Sequence, residues 1–109
     1  MASEVMVEKC VRAMTNSENT LLTVTADHTY TILNISLCET AGNAETFDLY
    51  LDPAGGSADT YIYKAQAIAA NATFEHTTRI VMEATDVLYG ILASGGDVDV
   101  VISYLDQTL

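Results

Sequence analysis

The sequence predicts an all-β fold, a single antiparallel β-sandwich of about eight strands in a jelly-roll-like arrangement. Short apolar runs rich in β-branched residues recur along the whole chain, and turn-forming residues separate them. No segment has an unambiguous helical pattern. Because 50% of the 109 residues are hydrophobic and only 17% are charged, the chain can bury a core and is expected to form one domain over residues 1–109.

The stretch Thr29–Pro53 is predicted to be a β-hairpin around which the domain is organised. Its first arm, residues 29–39, has apolar side chains on both faces, which is typical of an interior strand buried on two sides. Residues 40–44 contain glycine and asparagine, which favour a turn. The second arm alternates apolar residues with a polar row, as in a strand with one wet face. That row is a candidate contact surface and comprises Thr46, Asp48, Tyr50 and Asp52.

Further strands are predicted where apolar and polar residues alternate, over residues 21–25, 61–67, 73–82 and 98–104. Two segments allow more than one interpretation. The apolar residues of segment 4–14 suit either one face of a helix or one face of a strand. Segment 80–92 also fits a helix face, but Gly90 would interrupt the helix and Thr85–Asp86 is typical of a turn, which favours two short strands.

The charge of the chain excludes several kinds of partner. Fifteen acidic residues against four basic ones give a net charge of −11, which repels phosphate backbones and anionic membrane surfaces. We therefore expect no direct nucleic-acid binding and no membrane binding. No apolar run approaches the ~20 residues that cross a bilayer, and the N-terminal sequence lacks the pattern of a signal peptide. The chain is expected to be made and folded in a cytoplasm.

The sequence has no recognisable catalytic or metal-binding motif. His28 and His76 accompany no nucleophile motif such as GxSxG. Cys10 and Cys38 lie in candidate strands without CxxC spacing, so buried free thiols are expected. No enzyme, cofactor or metal site is predicted.

Tyrosines are the most distinctive large side chains, with six present and no tryptophan. Tyr61 and Tyr63 are two positions apart in a predicted strand, so both are expected on the same face. Packing between sheets or subunits is their simpler role. A platform for a carbohydrate is the alternative.

Three segments of the sequence are distinctive: Leu37–Glu39 at the end of the long arm, the turn Ile68–Thr73, and the segment Val81–Asp86. Together with the order of the predicted strands over roughly residues 11–103, they resemble small β-sandwich virion proteins of tailed bacteriophages. Such proteins often have glycine where this chain has Thr85. The shared motifs are structural and carry no catalytic residues across.

The resemblance implies a non-enzymatic structural protein of a tailed-phage particle. A capsid decoration or cement protein that binds and stabilises the head surface is the first expectation. The alternative is an accessory protein of the neck, tail or fibre with a carbohydrate-binding face. The implied partners are other virion proteins, either the major capsid protein or neck and tail proteins, and further copies in a homo-oligomer such as a trimer. The implied location is the virion, after synthesis in the bacterial host's cytoplasm.

Residues 1–14 are expected to form a docking or subunit-contact segment, because both faces of this segment carry apolar residues. Exposed edges and tyrosines of a small sandwich are surfaces that a neighbouring copy can cover. The predicted contact residues are Val5, Met6, Val7, Asp48, Tyr50, Tyr61 and Tyr63.

Overall fold

A computed structural model describes residues 3–56 and 58–108, which form nine β-strands and one short 3₁₀ helix at Pro53–Gly55. The strands are β1 (Ser3–Met14), β2 (Asn19–Thr23), β3 (His28–Glu39), β4 (Glu45–Asp52), β5 (Thr60–Ile68), β6 (Thr73–His76), β7 (Ile80–Met82), β8 (Val87–Leu92) and β9 (Val98–Thr108). Within these residues, no helix is long and apolar enough to span a membrane.

The strands form two antiparallel sheets. The front sheet has the order β1, β9, β3 and β6, and β7 extends it by pairing with another part of β3. The back sheet has the order β2, β8, β4 and β5. The first strands alternate between the sheets, and β9 returns to lie between β1 and β3, which is the connectivity of a jelly roll. The predicted fold class is therefore confirmed.

Both segments with an ambiguous pattern are extended. Residues 4–14 lie in β1, and residues 80–92 form β7 and β8 on either side of a turn. In that turn the Asp86 N–H donates to the Glu83 carbonyl at 3.1 Å. The predicted strand over residues 73–82 is instead two strands, because β6 ends at His76 and β7 begins at Ile80.

The stretch Thr29–Pro53 is not a hairpin, and that prediction is wrong. Its two arms are β3 in the front sheet and β4 in the back sheet, so residues 40–44 cross from one sheet to the other. A strand-turn-strand pattern fits a hairpin within one sheet as well as a crossover between two sheets, since in either case each arm needs one face against the core. The interior position of β3 is as predicted: β9 pairs with it on one side, and β6 and β7 pair with it on the other.

A buried carboxylate holds the crossover between the sheets. Glu39 is fully buried, and its carboxylate accepts hydrogen bonds from the backbone N–H groups of Ala41 (2.9 Å), Gly42 (2.9 Å) and Asn43 (3.1 Å). It also accepts one from the N–H of Asn71 at 3.0 Å, which ties the crossover to the turn between β5 and β6. These donors, Asn71 first, lower the pKa of the Glu39 carboxyl, although burial opposes them.

A β-bulge at Leu33 corrects the predicted faces of β3. The register with β9 shifts between Ile32 and Asn34. One extra residue reverses the alternation, so Ile32 before the bulge and Ile35 after it are both fully buried in the core. The opposite face of β3 is only partly buried, so the strand is interior within its sheet without being buried on two sides.

The core lies between the two sheets and draws on nearly every strand. Gly90 in β8 faces a tightly packed part of the core, because a Cβ there would lie 2.7 Å from Met14 Sδ and 2.9 Å from Leu21 Cδ1, so those side chains would have to shift. The largest fully buried side chains are Phe47, Met14, Leu21, Ile32, Ile35, Leu37, Leu49, Met82, Leu88, Leu92, Ile102 and Glu39.

Candidate interaction surfaces

An apolar row crosses the outer face of the front sheet. In register, Met6 of β1 lies opposite Leu105 of β9, which lies opposite Thr31 of β3, and Thr31 lies opposite Val81 of β7. Met6 is 71% exposed, Val81 is 61% exposed and Leu105 is half-buried. These side chains face outward because their neighbours along each strand, such as Tyr30 and Ile32 beside Thr31, face the core.

Val101 adds a further apolar side chain to the same face. It lies on β9 between the buried residues Val100 and Ile102, opposite Cys10 of β1, and is 38% exposed. We refer to Met6, Leu105, Val81 and Val101 as the apolar strip. Met6, Leu105 and Val81 align on three of the four paired strands, with Thr31 between Leu105 and Val81. Grouped exposed apolar residues mark interaction sites more often than scattered ones do.

Carboxylates border the apolar strip. Glu4 and Glu8 alternate with Met6 on the outward side of β1, and both are exposed. Glu75 of β6 is also exposed and lies opposite Ser36 on the outer face. A partner with an apolar centre and a basic rim would complement this surface.

Three tyrosines form a cluster on the outer face of the back sheet. Tyr50 of β4 pairs with Tyr61 of β5 on one side and with Tyr89 of β8 on the other. The ring centroids of Tyr50 and Tyr61 are 5.0 Å apart, and those of Tyr50 and Tyr89 are 5.5 Å apart. The Tyr50 hydroxyl donates to the Glu18 carboxylate. Burial, and then this carboxylate, raise the pKa of the Tyr50 hydroxyl.

Neighbouring residues of the same chain already cover most of this cluster. Tyr50 is only 4% exposed, whereas Tyr61 at the margin is 46% exposed. The Lys64 ammonium lies 4.5 Å from the centre of the Tyr61 ring and 3.4 Å from an Asp48 carboxylate oxygen. The Asp48 charge raises the pKa of Lys64. The cluster therefore stabilises the sheet and offers a partner chiefly one exposed ring.

The structure corrects the predicted polar row of β4. Tyr50 and Asp52 are buried rather than exposed. Asp48 is half-buried, and its carboxylate accepts the N–H of Ala65 at 2.7 Å, where the β5 backbone has a positive φ of 52°. Its carboxylate therefore serves to hold a bulge of the neighbouring strand.

Tyr61 and Tyr63 lie on opposite faces of the back sheet, contrary to the prediction. The pairing of β4 with β5 shifts register between Leu49, which pairs with Tyr63, and Tyr50, which pairs with Tyr61. Because Leu49 faces the core, Tyr63 does too, and its ring packs against Phe47 at 6.1 Å. The two tyrosines therefore cannot together form the carbohydrate platform that was the alternative interpretation.

The N-terminal contact residues also divide between two faces. Met6 belongs to the apolar strip, whereas Val7 packs against the core from the inner side. Val5, which alternates with Met6, is 55% exposed on that inner side. Cys10 is exposed and Cys38 is half-buried, both as free thiols. The expected burial of Cys10 is wrong, because β1 lies at the edge of its sheet and Cys10 faces outward.

Leu105, Val81 and Val101 were not among the predicted contact residues. Val101 left a signal in the sequence, since it is an apolar residue in the polar row of its strand, beside Asp99 and Ser103. Leu105 and Val81 join the strip only through strand pairing.

The titratable side chains of residues 3–56 and 58–108 form pairs rather than larger clusters that could hold a metal ion. No group of three or more His, Cys, Asp or Glu side chains in this part of the chain is placed to hold a metal ion. His28 Nδ1 lies 2.6 Å from an Asp106 oxygen, and His76 Nδ1 lies 2.9 Å from the Tyr63 hydroxyl inside the core. A concavity of about 720 Å³ at the end of the back sheet contains the Glu45 carboxylate, which accepts a hydrogen bond from Ser94.

No family model matches the chain, and no curated protein matches it in sequence. Solved structures share its fold. A chain of the capsid of Helicobacter pylori bacteriophage KHP30 matches with a TM-score of 0.58 and 14% identity, over 100% of this chain and 94% of that one. A chain of Bacillus endospore appendages, described as disulfide-linked pili, matches with a TM-score of 0.58 and 9% identity, over 99% and 89%. A chain of infectious bursal disease virus matches with a TM-score of 0.54 and 10% identity, over 100% of this chain but 32% of that chain. At these identities the similarity shows a common fold.

Proposed function

We propose that this chain is a non-enzymatic structural protein of a virus particle, and specifically a decoration or cement protein that binds the head surface of a tailed phage. The apolar strip on the front sheet carries the proposal. Met6 and Val81 are 71% and 61% exposed in register across the sheet. A protein that works by docking on a fixed surface needs such a patch, and it needs no reactive centre.

The fold comparison supports the choice of a phage particle. The KHP30 capsid chain is covered over 94% of its length by this chain. A single jelly roll of about this size is therefore used as a component of a phage capsid. The residue motifs that resemble small virion proteins of tailed phages point in the same direction.

Charge supports a partner other than an identical face. Glu4 and Glu8 border the apolar strip, and the whole chain has a net charge of −11. Two front faces brought together would oppose these carboxylates, which is unfavourable. A capsid protein with a basic rim around an apolar centre would bury the strip and pair the carboxylates.

Imaging of the particles tests the proposal. The chain should be tagged at its C-terminus, and virions from infected cells should be labelled and imaged by cryo-electron microscopy. Density repeated over the capsid lattice is expected for a decoration protein. Label at a single vertex would replace this assignment with a neck or tail accessory protein, and absence of label from virions would overturn a structural role in the particle.

A further inference from the structure

Strand β1 leaves a long free edge on the front sheet. It runs from Ser3 to Met14 and pairs with β9 on one side only. Its other side carries backbone N–H and C=O groups available to another strand. Proteins usually protect such edges with a short strand, a proline, a bulge or inward charges. Strand β1 has twelve residues and no proline, and its protection is limited to Lys9 on the inner face and the bulge between Val11 and Met14.

The edge is also the place where this acidic chain can meet its own copy without net repulsion. Strand β1 carries two acidic residues, Glu4 and Glu8, and two basic residues, Lys9 and Arg12, so its charge is balanced in a chain of net charge −11. All four side chains are exposed. Among the described residues, neither Lys9 nor Arg12 forms an ion pair.

Symmetry limits how two β1 strands can pair. Residues directly opposite each other in antiparallel strands face the same side of the sheet, so in a symmetric pair their numbers are both even or both odd. The twofold axis must therefore lie at a residue and not between two residues. An axis at Glu8 or at Lys9 would set two like charges directly opposite each other. An axis at Cys10 places Glu8 opposite Arg12 of the partner subunit, and symmetry repeats this ion pair on the other side.

We propose that two copies of the chain pair through β1 in antiparallel orientation, with the twofold axis at Cys10. The ladder is centred on Cys10 and includes Lys9 to Val11; Arg12 is the first residue of the bulge between Val11 and Met14, and by symmetry the bulges of the two copies limit the ladder at both ends. In the closer, non-hydrogen-bonded type of antiparallel pair the opposite Cβ atoms approach about 4.5 Å, the upper end of the range for a disulfide, so an oxidant can join the two Cys10 sulfurs if they occupy such a position. Cys10 is exposed, as this requires.

The pairing has a consequence for the apolar strip. A twofold axis perpendicular to the sheet keeps the outer faces of both copies on the same side. The two front sheets then form one continuous sheet, and the two Met6 side chains lie on the same surface. This inference concerns the sheet edge and is independent of what the outer face binds.

A charge swap in the purified full-length chain tests the pairing. The wild type is expected to have a dimeric mass by light scattering under reducing conditions. Diamide should then oxidise the two Cys10 thiols of the dimer to one disulfide, with the loss of two equivalents of thiol per dimer. The same loss is expected in the variant Cys38→Ser. Glu8→Arg should weaken dimerisation by about tenfold or more, because both ion pairs become like-charge pairs. Adding Arg12→Glu to Glu8→Arg should restore it.

Glu4→Arg is the matched control. Glu4 is an exposed outward residue of the same strand, but an axis at Cys10 places it beyond the partner's ladder, so this variant should remain dimeric. An axis at Glu8 would instead place Glu4 opposite Arg12 of the partner subunit. A monomeric wild type at all concentrations, or disruption by Glu4→Arg with no effect of Glu8→Arg, would overturn the proposal. Neither result depends on virions, so the capsid assignment is tested separately.

Discussion

The double variant Met6→Ser, Val81→Ser tests whether the apolar strip is the docking surface. Fully burying a methionine or valine side chain contributes about 1.5–3 kcal/mol. Because Met6 and Val81 are 71% and 61% exposed in the free protein, docking can recover roughly 1–2 kcal/mol from each. The double variant should therefore lose about 2–4 kcal/mol of binding free energy, an affinity decrease of roughly 30- to 1,000-fold.

Folding should be nearly unaffected, because substitutions at exposed positions usually change stability by less than about 0.5 kcal/mol. Binding would be measured by co-sedimentation with heads stripped of the protein, and stability by urea unfolding. Tyr61→Ser is the control, since it removes an exposed ring, 46% accessible, from the opposite sheet. Wild-type binding by a folded double variant, or equal loss in the control, would refute the docking surface.

Three further outcomes follow from the buried groups. The pKa of Glu39 is lowered in the folded state, so this carboxylate stabilises the fold at pH values above its ordinary pKa, and that contribution is lost as the pH falls through the folded-state pKa. Glu39→Gln should therefore destabilise the protein at neutral pH and make its stability less dependent on pH on the acid side. An unchanged pH dependence of stability would contradict this. Tyr63→Phe removes the hydroxyl that lies 2.9 Å from His76 Nδ1 and should lower the free energy of unfolding by about 1–2 kcal/mol. An unaltered denaturation midpoint would show that water replaces the hydroxyl. Gly90→Ala places a Cβ within 2.7 Å of a core sulfur and should cost about 1–3 kcal/mol by thermal denaturation, whereas a wild-type Tm would mean that the core adjusts freely.

The strands of this protein could be predicted from local patterns because alternation and turn residues are local properties. Segment 80–92 resolved as two strands around a turn, as Gly90 and the pair Thr85–Asp86 indicated. The candidate site was predicted less well. Met6 is exposed on the outer face as a contact residue requires, but Tyr50 is buried and Tyr63 lies in the core. A register shift in β5 explains the error for Tyr63, because one extra residue reverses the side chains that follow it. Tyr50 does face outward as predicted, but Tyr61, Tyr89 and Glu18 cover it.

The sequence by itself determined the fold class, the position of most strands and the acidic character that disfavours nucleic acid. These follow from hydrophobic periodicity, turn chemistry and charge, which each act within a few residues. Only the tertiary structure decided that β3 and β4 belong to different sheets, that Glu39 holds the crossover, and that Met6, Leu105 and Val81 align in one strip. Those features depend on pairing between strands far apart in the chain, and no local pattern specifies which strand lies beside which.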